Sequence, residues 1–223
     1  MPVYLLFIVI LVVFVILLVR AEFYENRKKI NRYKPVSSAL LIVIALLSMI
    51  LPQEHNQTYS IAILLGLMFS FGGDITLMQR TQKAFMVGLV LFLLSHIVYF
   101  ITFTFFNGFF VRNFASAFIL TIMAILIFLY LRPGLGNMKY PVLIYIIIIS
   151  IMMLSALNTF ESDYFTLKKS LFITIGAGLF YVSDVILAVN KFRKPFRYNR
   201  VSLAFYYSGQ LLIALSTSSV IAN

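Results

Sequence analysis

Two aspartates stand where carboxyl groups are costly: Asp74 within the apolar run Gly66–Met78, and Asp184 within the run Gly176–Ala188. Of the seven acidic residues in the chain, the other five (Glu22, Glu25, Glu54, Glu161 and Asp163) fall in connecting segments or at their edges. An aspartate at the centre of a membrane helix costs about 2.5–3.5 kcal/mol on insertion scales, so two of them must be compensated or kept for chemistry. Such acids suit acid–base catalysis or the relay of protons and ions. Two carboxyl groups sharing a low-dielectric site cannot both ionise cheaply, so one gives a proton and the other acts as an anion or base.

Further polar groups recur at helical spacing around this pair. Gly66, Ser70 and Asp74 follow i, i+4, i+8, a small and polar stripe that permits close packing and turns the acid inward. Tyr181 and Ser183 flank Asp184, His96 has Tyr99 at i+3, and Tyr206 has Gln210 at i+4. Tyr145, six residues past Lys139, falls at the depth of the acids. Five helices could thus bring polar groups to one intramembrane cavity. Each group also has a plainer reading: the carboxylates and His96 as satisfied interhelical partners, and the tyrosines as packing residues among the thirteen in the chain.

These residues must be positioned by membrane helices. With 62% hydrophobic residues, 11% charged residues and a mean hydropathy of +1.00, the chain departs far from the roughly 25% charged residues of soluble domains. Its 223 residues provide for eight spans of ~20 residues in one all-α domain, a polytopic membrane bundle without a separate soluble domain. The apolar runs cover about 3–19, 36–51, 59–78, 84–105, 110–131, 141–158, 168–189 and 200–221. The first lacks the basic leader and cleavage site of a secretory signal and reads as a retained span. A net charge of +11 does not imply nucleic acid here, because the basic residues flank the spans. There is no Cys, and the two histidines, His55 and His96, do not suit a multi-histidine zinc cluster. No metal or cofactor is expected.

Fifteen basic residues fall in the segments after the first, third, fifth and seventh spans, against Arg112, Lys168 and Lys169 on the opposite side. The positive-inside rule then places both termini outside and the basic loops in the cytoplasm of a multi-pass cell-membrane protein. Asp74 lies six residues before Arg80 and Asp184 seven before Lys191. Both acids therefore sit ~9–11 Å inside the cytoplasmic boundary, close to the inner leaflet. The glycine eight residues before each aspartate and the leucine three residues after it hint at a duplication of four plus four helices.

Taken in order, several motifs resemble the YhhN family of membrane proteins: Lys34-Pro35, Gly73-Asp74 with Leu77-Met78, Gly88 with Phe92, His96 and Tyr99, Gly176-Ala177 with Leu179-Phe180, Ser183-Asp184, Leu187-Ala188, and Tyr206-Tyr207 with Gln210. They cover about residues 34–212. The resemblance implies an eight-helix bundle with lysoplasmalogenase activity, hydrolysing the vinyl ether bond of a lysophospholipid-type substrate to a fatty aldehyde and a glycerophospho-base. Asp184 is then expected as general acid and Asp74 as the carboxylate that stabilises the cation and activates water, or the reverse. Ser70, His96, Tyr99, Tyr145, Tyr181, Ser183, Tyr206 and Gln210 would bind or orient substrate and water, and Lys34 and Arg80 would meet the phosphate at the rim. The competing class is an ion- or proton-coupled transporter using the same carboxylates. A third is a structural or lipid-binding membrane protein without turnover.

Overall fold

In a computed structural model, residues 4–50, 56–79, 81–108, 114–196 and 200–218 are described; the side chains of Tyr4 and Ile50 are not. Arg80, His55, Arg112 and Arg197 lie outside these residues. The described residues form eight α-helices: α1 Tyr4–Phe23, α2 Arg27–Ile50, α3 Gln57–Leu77, α4 Gln82–Asn107, α5 Phe114–Leu131, α6 Lys139–Asn158, α7 Leu167–Phe192 and α8 Ser202–Leu215. Short 3-10 turns precede and follow α6, and no strand occurs among the described residues. Seven of the helices are long and apolar enough to cross a membrane.

Two boundaries differ from the hydropathy reading by more than four residues, each for a local reason. α2 starts at Arg27, not near residue 36, because the Asn26 side chain caps it, accepting from the Lys29 amide at 3.2 Å. Lys34 and Pro35 are consequently inside the helix and not ahead of it. At the other end, α8 stops at Leu215 and is 14 residues long; the span was expected to run to residue 221, and residues 219–221 lie outside the described residues. The hydroxyls of Ser216 and Thr217 bond back to the carbonyls of Ile213 and Ala214, competing with continued helix. At ~1.5 Å per residue this helix covers ~21 Å, short of a ~30 Å hydrocarbon layer.

The starts of α3, α4 and α7 are set locally by side-chain caps, whereas α6 and α8 have none. Asn56 accepts from the Tyr59 amide at the start of α3, Thr81 from Ala84 at α4 and Thr166 from Lys169 at α7. Between helices, close approach depends on missing side chains. A Cβ at Gly66 would lie 2.2 Å from the Tyr99 ring, and one at Gly209 would lie 2.6 Å from the Gly176 carbonyl oxygen. The first contact joins α3 to α4 and the second α7 to α8, which brings the polar stripes of those helices face to face. On the outside, α1 and α5 expose Leu6, Val9, Ile16, Phe118, Ile125 and Leu129. Such apolar faces suit lipid.

Candidate active site

Asp74 is 2% exposed, and its position on the α3 stripe turns it between α2 and α8. Ser38 donates to its Oδ2 at 2.6 Å, Tyr206 donates to the same oxygen at 2.7 Å, and Lys34 Nζ stands 3.3 Å from Oδ1. Tyr207 closes the group, its hydroxyl lying 2.9 Å from that of Ser38. A buried charge of this kind is stable only when paired and hydrogen-bonded. Lys34 and Ser38 can serve together because they are one α-helical turn apart on α2.

Asp184 is held by a different pair of helices. Tyr145 of α6 donates to its Oδ2 at 2.6 Å, and His96 Nε2 of α4 lies 3.0 Å from the same oxygen and 2.9 Å from the Tyr145 hydroxyl. Since the Tyr145 proton is committed to the carboxyl group, the His96 proton belongs on Nε2, where it donates. His96 Nδ1 is then a buried atom without a partner among the described residues. No hydrogen bond reaches Asp184 Oδ1 among the described residues.

The two groups are built on one plan. The sequence separation between Asp74 and Asp184 is also that between His96 and Tyr206, and between Gly66 and Gly176. Each aspartate takes donors from the helix before its own (α2 or α6) and from a helix of the opposite half (α8 or α4). This matches the hinted four-plus-four repeat. The chemistry of the two groups nevertheless differs: Asp74 has a lysine as counter-charge, whereas Asp184 has a histidine and a tyrosine.

An aromatic layer lies between them. The Phe180 ring is 5.3 Å from the Tyr206 ring and 4.5 Å from the His96 ring, and Phe92 packs edge-on to Phe180 and Tyr206. A third polar group sits farther along α3 and α4: Tyr99 donates to Gln210 Oε1 at 2.8 Å, Gln210 Nε2 to Ser70 at 2.7 Å, and Ser70 to Ser95 at 2.8 Å. Tyr181 and Ser150 hydroxyls are 3.1 Å apart. Ser183 is buried beside Asp184 but joins neither carboxylate group.

Asp184 borders an apolar cavity of about 50 Å³ with Tyr145, Tyr181, Phe92, Ile127 and Leu131. Asp74 is not among its lining residues. Next to it lies a half-open chamber of about 400 Å³, where Lys34, Lys191 and Arg200 with Glu22 and Asn190 set polar groups into a largely apolar wall. Leu77, Phe85 and Leu187 line both spaces. Among the described residues, no three His, Asp or Glu side chains gather as a ligand set. What the arrangement offers is a carboxyl group with fixed donors on one oxygen, facing an apolar space.

Sequence reasoning missed Ser38 and Ser95, and it quoted Tyr207 only as part of a family motif, with no role at the site. Ser38 had a signal, since it follows Lys34 by four residues, but the helix carrying both was read as starting later. Lys34 was expected at the rim; it pairs with Asp74 and is 8% exposed. Arg80 lies outside the described residues.

The chain is 32% identical over 157 residues to lysoplasmalogenase TMEM86A of Bos taurus and 31% identical over 159 residues to lysoplasmalogenase TMEM86A of Homo sapiens. Each match covers 69% of this chain and 64% of the relative, so the chain spans less than two thirds of those proteins. No solved structure matches it. The model of the YhhN family matches residues 32–217, the stretch that carries both carboxylates and all of their described partners, and the chain belongs to the YhhN family.

Proposed function

We propose that this protein is a membrane-embedded hydrolase of lysoplasmalogenase type, with Asp184 as its acid–base group. The observation that carries the reading is the Asp184 carboxyl group at the wall of an apolar cavity, with Oδ2 fixed by Tyr145 and His96. The names of the mammalian relatives supply the reaction class.

Vinyl ether hydrolysis begins with proton transfer to the carbon beta to the ether oxygen, which leaves an oxocarbenium ion. Asp184 Oδ1, the carboxyl oxygen that neither donor reaches, carries that proton, and the resulting carboxylate lies beside the cation it has created. Water adds to the cation's carbon and returns a proton to Asp184; the hemiacetal then collapses to a fatty aldehyde and the glycerol hydroxyl. One water is consumed and the carboxyl group is regenerated, a cycle close to the logic of glycoside hydrolysis. Tyr145 and His96 hold the carboxylate in place and stabilise the charge it acquires.

Asp74 is the second carboxylate, one layer back. Its charge acts through Lys34, which reaches the chamber, and through Tyr206, whose ring packs on Phe92 at the cavity wall. Water activation by Asp74 itself would require water to pass that ring, whereas Asp184 after proton transfer is already in place. Ser70, Tyr99 and Gln210 form a buried brace behind the aromatic layer. At about 50 Å³ the cavity holds the reacting bond and little more. The tail therefore runs toward the bilayer past Ile127 and Leu131 of α5, a helix whose buried residues are Leu120 and Leu131. The basic end of the bundle faces the cytoplasm.

The test is purified protein in detergent, incubated with a lysophospholipid panel and analysed for aldehyde by mass spectrometry. Aldehyde from the vinyl ether lipid, lost in Asp184→Asn, is the expected result. Full turnover by that variant, or gradient-dependent uptake of a solute with no product, would overturn it.

A further inference from the structure

The chamber beside the apolar cavity has no part in the proton transfer, yet its walls are specific. Three cations reach it from separate elements: Lys34 from α2, Lys191 from the last turn of α7, and Arg200 from the turn before α8. Glu22, from the end of α1, is the acidic residue among its lining. Each cation has a partner, although Lys191 is itself exposed. Lys34 Nζ is 3.3 Å from Asp74, Arg200 Nε is 3.6 Å from Glu22 Oε2, and Lys191 Nζ sits 4.9 Å over the centre of the Phe85 ring. Phe85 lines both spaces, so the Lys191 ammonium stands at the seam between the chamber and the apolar cavity.

A ligand that fills both spaces must be apolar at one end and anionic next to it. The volumes agree with that order: about 400 Å³ for the chamber, against about 50 Å³ for the cavity at Asp184. At ~30 Å³ per water, the first has room for roughly a dozen waters, and a bulky polar group could displace them. Basic pockets between membrane helices at the positively charged end suit lipid head groups, and lysine serves phosphate as a point charge.

We propose that the chamber is the seat of a phosphodiester head group, with Lys191 and Arg200 joining Lys34 as its cations. This rests on the lysophospholipid reading above. It makes Asp74 a positioning residue that fixes the Lys34 ammonium at the chamber wall, and it ties Glu22 to the placement of Arg200. The phosphate at the seam would set the distance from head group to vinyl ether, so that the reacting carbon stops at Asp184.

The test uses purified protein in detergent and two probes that cannot be hydrolysed: a single-chain lysophospholipid with a saturated ether, and the matching 1-alkyl glycerol without phosphate. Lys191→Met and Arg200→Met are each expected to weaken binding of the phospholipid about tenfold, the usual effect of losing one charged hydrogen-bond partner. Binding of the neutral ether should stay unchanged in both, and Lys194→Met, an exposed lysine outside the chamber, should change neither probe. In turnover, the two variants should raise KM for the vinyl ether lysophospholipid and leave kcat near that of the parent. Equal binding by parent and variants overturns the proposal, as does equal weakening of both probes, or no phospholipid binding by the parent protein. Displacement of the phospholipid by an equal concentration of inorganic phosphate would assign the chamber to a free anion and overturn the head-group reading. The two readings fail separately: phospholipid-selective binding without aldehyde from any vinyl ether retires the hydrolase and leaves the anion site, whereas hydrolysis with unaltered binding in the variants retires only the site.

Discussion

Replacing each aspartate by asparagine should give two different phenotypes, although the two positions correspond in the repeat. Asp74→Asn leaves the Lys34 ammonium, with its side chain 10% exposed, facing an amide in place of a carboxylate at 3.3 Å. Breaking a buried ion pair from one side costs about 3–5 kcal/mol because the remaining charge is uncompensated. In a chain of this size that lowers the melting temperature by about 6–20 °C. Asp184→Asn has no lysine to strand. The asparagine oxygen can still accept from Tyr145 and His96, so the change in stability stays near ~1 kcal/mol, or a shift within about 4 °C. Activity should follow the reverse order: Asp184→Asn folds and releases no aldehyde, while Asp74→Asn is unstable but retains slow hydrolysis. The decisive control is the double variant Lys34→Met with Asp74→Asn, which removes both charges and should recover most of the lost melting temperature. Melting curves in detergent, run beside the aldehyde assay, measure all of this. If Asp74→Asn melts with the parent protein, or the double variant is no more stable than the single one, the reasoning about the buried pair is wrong.

Three other outcomes are expected. Tyr145→Phe removes the 2.6 Å donor to Asp184 Oδ2 and should lower kcat by about ten- to a hundredfold with little change in KM, read from initial rates. Gly209→Ala forces a methyl to within 2.6 Å of the Gly176 carbonyl oxygen, so α7 and α8 must part; a loss of about 1–3 kcal/mol should appear as a lower melting temperature. Hydrolysis in D₂O should place one deuterium on the aldehyde carbon next to the carbonyl, and hydrolysis in H₂¹⁸O should leave the glycerol oxygen unlabelled; label in the glycerol product would mean that a different bond breaks.

Much of the fold could be read from the sequence because it depends on local quantities. Hydropathy and turn residues located the helices, and the spacing of Gly66, Ser70 and Asp74 identified the buried face of α3. The misplaced boundaries arose where hydropathy and helix formation diverge. The basic first turns of α2 are polar but helical, capped by Asn26, and the serine- and threonine-rich end of the last run is apolar enough to read as helix while its hydroxyls turn the chain.

For the site, sequence determined the inventory: two acids inside apolar helices, a histidine and tyrosines at helical spacing, and lysine and arginine gathered in the segments after alternate helices. Those follow from the fixed rise and turn of a helix, which convert spacing along the chain into height and facing. Which groups meet is a different matter, because it depends on how helices distant in sequence cross and on where a missing Cβ lets them approach. Only the tertiary structure could give Lys34 to Asp74, His96 and Tyr145 to Asp184, and an aromatic layer to the space between them. A linear pattern holds two like acids; the packing around them makes one a buried ion pair and leaves the other open to a cavity.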